Sequence, residues 1–476
     1  MPSQIQSLLP QSAAFDPADP RTTLAQLPQA PAVFVLSGAD SHAEPYIGRT
    51  PNLRARLERL LQPSPRHPRR LHLAGLVRRI AWQLTGSEFE SLLLQFNLLQ
   101  DQYGTKCLER MHLRAPAFVR FLGGNPYPRI TVTHRPSLRE SDWAYGPFPS
   151  RAAAERYADE MLKLFLLRRC TFDLAPDPGY PGCVYSEMKM CLAPCFKGCT
   201  DERYAQESAD VQSFLATRGE SRLVTLRAQR DQASADLAFE SAAALHAQVQ
   251  RVEGVRALAS ELVRPLSRLR AVILQASANP HEVAVFLFQD GLLRGPALFS
   301  TLGMRIQNEQ SGSTSLFAQP MVLEPVPEEP GSEIGDQGPA SEQSSNAHES
   351  SAAQPSALTS QLQEGHESSG HDFSRADKAA KKEAGALAPE GTPTRIPRTV
   401  LESRLEAALA DLAAPAGPPS GAVRQGHLAL LKRWYYRPEA RRTGEIFFPD
   451  GEDRWPLRPI LRGIGRVAAK SLSPSA

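Results

Sequence analysis

Apolar and polar positions change period several times along the chain. Ala32-Val33-Phe34-Val35-Leu36 is a short β-type run, ended by Ser37-Gly38. Pro45-Tyr46-Ile47-Gly48 reads as a second short strand. Residues 52–61 carry apolar side chains at 53, 57, 60 and 61, a helical stripe with Asn52 as its cap. Residues 77–84 are another strand candidate, and 87–100 a helix: Ser87 precedes Glu88 and Glu90, and Phe89, Leu92, Leu93, Phe96 and Leu99 share one stripe. Residues 129–133 alternate like an edge strand. Pro149-Ser150 opens a helix predicted to run to about Leu167. Residues 202–261 are helical, with a turn predicted at Ser234-Ala235-Asp236, giving a helical hairpin preceded by one more helix. Strands return at 271–274 and 283–288, joined through Asn279-Pro280, and Asp290-Gly291 marks the next turn. The ordered part therefore reads as α/β.

The length of 476 residues allows two to four domains. No apolar run approaches the roughly 18 residues a membrane span needs, and the N-terminus lacks the basic start and apolar core of an export signal. We therefore expect a cytoplasmic protein with no membrane partner. The net charge of +3 identifies no partner, but its distribution is informative. Between Arg49 and Arg79 there are nine arginines, no lysine and one acid, Glu58. Such a stripe suits a phosphate backbone, with Arg54, Arg69, Arg70, Arg78 and Arg79 as candidate DNA contacts. Residues 325–394 are rich in Ser, Gly, Glu, Gln, Pro and Ala with Phe373 as the single aromatic, a composition that predicts disorder.

Four of the six cysteines, Cys170, Cys183, Cys191 and Cys195, fall within 26 residues. Thiolates gather in this way to hold a soft metal or an iron–sulfur cluster, or to form disulfides. A reducing cytoplasm favours metal over disulfide. Zinc sites commonly use a Cys-x2-Cys knuckle, which this run lacks. Cys199 is a fifth thiol that could compete, and Cys107 reads as a buried structural thiol.

In this order, these pieces resemble the UvrC family, the nuclease subunit of bacterial nucleotide excision repair. Ala32-Val33-Phe34, Tyr46-Ile47-Gly48 and Asn52-Leu53-x-x-Arg56 resemble the GIY-YIG nuclease motif. Pro126-Tyr127-Pro128 and Tyr145-Gly146-Pro147-Phe148-Pro149-Ser150 resemble the segments leading into that family's cysteine module. Arg169-Cys170, Cys183, Cys191 and Ala193-Pro194-Cys195 match the cysteines that hold its cluster, which implies [4Fe–4S]. Leu237-Ala238-Phe239-Glu240-Ser241-Ala242-Ala243 resembles the helical hairpin that docks onto UvrB. The resemblance covers roughly residues 27–303. It implies a small GIY-YIG sheet flanked by helices over 27–105, a linker and cysteine-rich module over 106–200, a UvrB-binding-type hairpin over 201–262, and a partial RNase H-like, β-rich region over 266–305 and 421–468. The implied partners are DNA, as damaged duplex, and a UvrB-like helicase met through Phe239, Glu240, Ala242 and Ala243.

Hydrolysing a phosphodiester needs an activated water, neutralised phosphate charge and usually a carboxylate-held metal. The resemblance assigns Tyr46 to position or deprotonate the nucleophile and Arg56 to stabilise developing charge. Three catalytic positions differ from the family pattern. Phe34 stands where a tyrosine belongs. Arg49 replaces a lysine, keeping charge but offering no base. Gln95 replaces the metal-binding glutamate, and a neutral amide is a poor ligand for Mg²⁺ or Mn²⁺. Glu88, about two turns earlier and on the same face, is too distant to take that place. The expected nuclease activity is accordingly weakened or lost, and the alternative is a silent adaptor that binds DNA and a UvrB-like partner or competes with a complete UvrC. In the tail, Leu461-Arg462-Gly463-Ile464-Gly465-Arg466 resembles a hairpin that offers backbone N–H groups to phosphate. Trp434, Tyr435, Tyr436 and Trp455 read as core.

Overall fold

The computed structural model describes residues 7–40, 43–62, 73–136, 143–304, 396–414 and 420–472. Arg69, Arg70 and the 325–394 stretch lie outside them. Among the described residues the chain is a mixed α/β protein with three four-stranded antiparallel sheets.

The first sheet begins with β1 (Gln11–Ala14), followed by helix α1 (Pro20–Ala25), β2 (Ala32–Ser37), β3 (Tyr46–Thr50), α2 (Leu53–Leu61) and β4 (Arg79–Leu84). Its order is β1-β4-β2-β3. Strand β2 is covered on both faces, which explains its unbroken apolar run. Ala32, Phe34 and Leu36 pack with Leu24 of α1 and with Leu53 and Leu57 of α2. Val33 and Val35 face the other way, onto Ala81 and onto Leu98 of α3 (Glu88–Tyr103). Asn52 caps α2 through the Ala55 N–H, and Ser87 caps α3 through the Glu90 N–H.

The second sheet holds β5 (Ala117–Phe121), β6 (Ile130–Thr133) and β7 (Ala144–Phe148). Helices α4 (Arg151–Leu162), α5 (Asp201–Ala216), α6 (Glu220–Ala235) and α7 (Phe239–Ala257) follow, and then β8 (Arg264–Pro265). The order β6-β5-β7-β8 leaves β6 at an edge, as its alternation predicts. Helix α4 stops at Leu162, short of the predicted Leu167, because the chain leaves the helix to bury Phe165 and Leu167 in the core shared by this sheet and α4–α7. The helical stretch also breaks at Arg218-Gly219, both with positive φ (54° and 85°). Helix α6 ends later than predicted, with Leu237 in the left-handed region (φ 59°) and the Ala238 N–H reaching back to the Ala233 carbonyl at 2.8 Å.

The third sheet joins distant parts of the sequence. Strands β9 (Ala271–Ala276), β10 (Glu282–Gln289) and β11 (Leu292–Ser300) form two hairpins. The second turns at Asp290-Gly291, whose φ values of 56° and 79° are those of a tight two-residue hairpin. Helices α8 (Arg398–Ala413) and α9 (Gly421–Tyr435), strand β12 (Glu445–Phe447) and helix α10 (Leu457–Leu472) complete the region, and β12 pairs with β9. One face of the sheet buries Ile273, Phe286 and Phe288 against Phe89 and Phe96 of α3 and Trp434 of α9. The other buries Val272, Leu274 and Val285 against Leu405 of α8 and Ile464 of α10. The tail is therefore part of the core. Trp434 is buried and donates to the Thr443 carbonyl, Tyr436 donates to the Pro147 carbonyl, and Trp455 packs on the α8–α10 side. The phosphate-binding hairpin expected at 461–466 is absent: these residues sit inside the single helix α10, and Gly463 is small because the Phe447 ring lies against it.

Candidate functional site

Tyr46 and Arg56 are brought together. The Arg56 guanidinium donates to the Tyr46 hydroxyl at 3.2 Å, from α2 to the edge strand β3. The Phe34 ring, fully buried, lies 6.0 Å from that of Tyr46 between centroids. Gly48 opposite Phe34 is required by this packing: a Cβ there would stand 2.8 Å from the Phe34 Cζ. That Cζ would carry the hydroxyl of a tyrosine.

Arg49 points away from this group. Strand alternation puts Tyr46 and Gly48 on the α2 face and Ile47 and Arg49 on the α3 face, where Ile47 packs on Leu94 and Leu98. There Arg49 lies 3.5 Å from Glu88, at the start of α3. Glu88 also accepts two bonds from Arg437, at 2.8 and 2.9 Å, so α3 is clamped by the residue just after α9. The Arg437 bonds hold the Glu88 carboxyl below the usual carboxylate range against partial burial, with Arg49 and Arg433 adding to the effect. Gln95 is half-buried on α3 and has no hydrogen-bond partner among the described residues. These donors do not suit a hard divalent cation: the amide is neutral, and Glu88, two turns away on the same face, is already paired with arginine.

The described arginines of the basic stripe divide by role. Arg54 is half-buried and donates its Nε to the Leu27 carbonyl at 2.7 Å, fastening α2 to the end of α1. Arg78 and Arg79 are exposed, and no carboxylate pairs with Arg54, Arg56, Arg78 or Arg79 among the described residues. In register, Leu36 of β2 faces both Tyr46 and Ile80, so Arg79 is one residue beyond the row of Tyr46. Two strand spacings, roughly 10 Å, separate their backbones.

The cysteines converge. Cys170, Cys183, Cys191 and Cys195 line one cavity of about 160 Å³, with Leu174, Phe172 and Tyr180 among its walls. The loop earns this shape with unusual backbone: Lys189, Ala193 and Lys197 all have positive φ (54°, 55° and 57°). The left-handed Ala193 turns its N–H onto the Cys191 sulfur at 3.3 Å. Burial pushes the Cys191 thiol up to about 11, with Cys170, Cys195 and Cys183 adding to the shift. Among the described residues no three His, Cys, Asp or Glu side chains gather closely enough to hold a metal ion. Cys199 is outside the lining and packs on the core below, while Cys107 is fully buried and bonds Gln100.

Sequence reasoning missed Arg168. Its side chain is 1% exposed and faces the same cavity. The pair Arg168-Arg169 beside Cys170 was the available signal. Tyr204 of α5 ties this corner together, accepting from the Arg168 N–H at 3.1 Å and donating to the Pro128 carbonyl at 2.8 Å.

At the α6–α7 connection Phe239 is 66% exposed and Leu237 72%. Glu240 and Ala243 are exposed beside them and Ala242 half-buried. Leu237 was not singled out from the sequence, although it adjoins Phe239.

Comparison with known proteins agrees with the middle of this layout. Residues 118–214, from β5 to the last turn of α5, match the family model of the UvrC/Cho excinuclease middle domain. Over this region the chain is similar to that middle domain. More narrowly, it is a UvrC-like protein over part of its length. It is 28% identical to the UvrABC system protein C of Alcanivorax borkumensis over 238 residues, 50% of this chain and 39% of that relative. It is 30% identical to that of Aromatoleum aromaticum over 241 residues, 51% and 39%. It is 29% identical to that of Desulforudis audaxviator over 321 residues, 65% and 51%. The chain thus spans about half the length of these relatives or less. No solved structure matches. No described helix is long and apolar enough to cross a membrane.

Proposed function

We propose that the chain acts on DNA in nucleotide excision repair as a UvrC-like protein of the cytoplasm, with its N-terminal phosphodiester-cleaving site silent or very slow. One observation carries this reading. The carboxylate that shares the Gln95 face of α3 is Glu88, two turns earlier, and Arg437 and Arg49 already neutralise it. What remains, Tyr46 with Arg56 and the exposed Arg78 and Arg79, binds and orients phosphate. The four thiols lining one cavity support a [4Fe–4S] cluster, and their run lacks the Cys-x2-Cys knuckle that zinc sites commonly use. Bound there, a cluster would fix the loop between α4 and α5. Phe239, with Glu240, Ala242 and Ala243, supports docking of a UvrB-like helicase, an exposed aromatic beside small residues being a common anchor.

A second reading, a nickase with altered metal coordination, is favoured by the intact Tyr46–Arg56 bond. A nicking assay on lesion-bearing duplex with Mg²⁺ or Mn²⁺ and a UvrB partner separates the two. The adaptor reading expects no wild-type nicking above background, and a gain for Gln95→Glu combined with Phe34→Tyr. Strong wild-type nicking that Arg56→Ala abolishes would defeat it.

A further inference from the structure

Arg168 is a fully buried guanidinium that pairs with no carboxylate among the described residues. Its Nε donates to the Tyr127 carbonyl and one Nη to the Phe172 carbonyl, each at 2.8 Å. The same Nη lies 3.5 Å from the Cys170 sulfur. The other, Nη2, is buried without a hydrogen-bond partner. The nearby acid Glu207 is occupied, accepting from the Leu166 N–H at 2.7 Å and from Arg203 at 2.9 Å. A guanidinium stays charged in proteins, and a buried charge calls for a counter-charge. Carbonyls supply dipoles but no charge. The groups of opposite sign available in the cavity are the four sulfurs, once they are thiolates.

We infer that Arg168 is the built-in counter-charge of the group these thiolates hold, and that it sets how readily that group accepts an electron. The inference rests on the [4Fe–4S] reading. A cluster bound by four thiolates is anionic and becomes more so on reduction, and hydrogen bonds and charge around the sulfurs tune its potential. A fixed cation in a dry wall, with a donor to spare, favours the reduced form. Exposed cations on the same loop are screened by water and act weakly. Arg168 is thus a positioning and tuning residue, not a ligand.

The test is a redox titration of the full chain, purified anaerobically, with dithionite supplying the one electron and visible absorption and electron paramagnetic resonance as readouts. Arg168→Gln keeps donors but removes charge. It should load the cluster and disfavour reduction at least tenfold, about 59 mV toward more negative potential for one electron. Arg168→Lys should stay within threefold of wild type, as should Lys197→Gln, which removes an exposed charge from the same loop. A loaded Arg168→Gln with the wild-type potential overturns the inference. So does failure of both Arg168 variants to load, which would assign the residue to holding the Tyr127 and Phe172 carbonyls alone. A colourless wild type with one equivalent of zinc would instead overturn the cluster reading, before any variant is made.

Discussion

In the cysteine loop four candidate ligands face one cavity, and a buried cation faces it with them. In the first sheet the candidate catalytic residues are divided across the two faces of an edge strand. Tyr46, Arg56 and Phe34 are on one side and Arg49 and Glu88 on the other. The first arrangement leaves positive charge in need of negative partners. In the second Arg49 and Arg437 have already found theirs in Glu88. Both regions are arginine-rich and both resemble sites of the same family. The difference is whether charge has been satisfied within the chain or left for something that binds. Satisfied charge stabilises a fold, and unsatisfied buried charge points to a missing partner.

The largest test of this contrast removes a candidate ligand from the cysteine loop and restores one in the first sheet. Cys191→Ala or Cys195→Ala should abolish the visible colour of anaerobically purified protein and expose the loop around 168–200 to protease. Gln95→Glu should change neither colour nor thermal stability measurably, because Gln95 is half-buried and makes no bond to lose. Retained colour in both cysteine variants would break the comparison.

A smaller effect is expected from an acid beside the first sheet that the arginines do not reach. Glu90 is buried on α3, two residues after Glu88, and among the described residues its side chain accepts only from the Gly86 N–H at 2.8 Å. Burial raises its carboxyl from 4.5 to about 7. Between those values the unfolded chain releases the proton while the folded carboxyl keeps it, so stability falls as pH rises through this window and stays low above it. Glu90→Gln keeps the bond to Gly86 and removes the charging cost. It should flatten that decline and stabilise the protein by on the order of 2 kcal/mol at about pH 8, measured by denaturant titration. A variant as pH-sensitive as wild type would show that Glu90 is relieved by water.

Much of this contrast was legible in the sequence, though unevenly. The run at 32–36, the stripes of α2 and α3 and the Asp290-Gly291 turn are local patterns, and local patterns survive folding. Strand β1 has no apolar alternation in Gln-Ser-Ala-Ala and exists only by pairing with β4, so nothing local announces it. The three residues of β12 are likewise a strand because β9 offers them an edge. At the sites, the four cysteines could be named in advance from their spacing, and Tyr46 and Arg56 from the motif they resemble. Arg168 and the Arg437 clamp could not, since their meaning depends on burial and on contacts made over long sequence distances. The tail illustrates the same limit: read alone, 461–466 resembled a phosphate-binding hairpin, and the apolar stripe through Ile460, Ile464, Val467 and Ala468 makes it one buried helix.

The finest test asks which arginines of the basic stripe remain available to phosphate. Arg78 spends its guanidinium on the Gly75 and Val77 carbonyls, at 3.1 and 2.8 Å, and Arg79 reaches Ser12 at 3.2 Å. Those partners are neutral, so both charges stay uncompensated at the end of the sheet that carries Tyr46. Neutralised phosphates release counterions, and each such contact contributes nearly one unit to the slope of log affinity against log salt. Arg78→Gln with Arg79→Gln should therefore make that slope shallower by about one to two units on duplex DNA. Arg54→Gln is the matched control. Its half-buried Nε bond to Leu27 should cost stability and leave the slope within about half a unit of wild type. The reverse outcome, a slope that responds to Arg54 and ignores Arg78 and Arg79, would place the DNA on the α1–α2 side of the sheet.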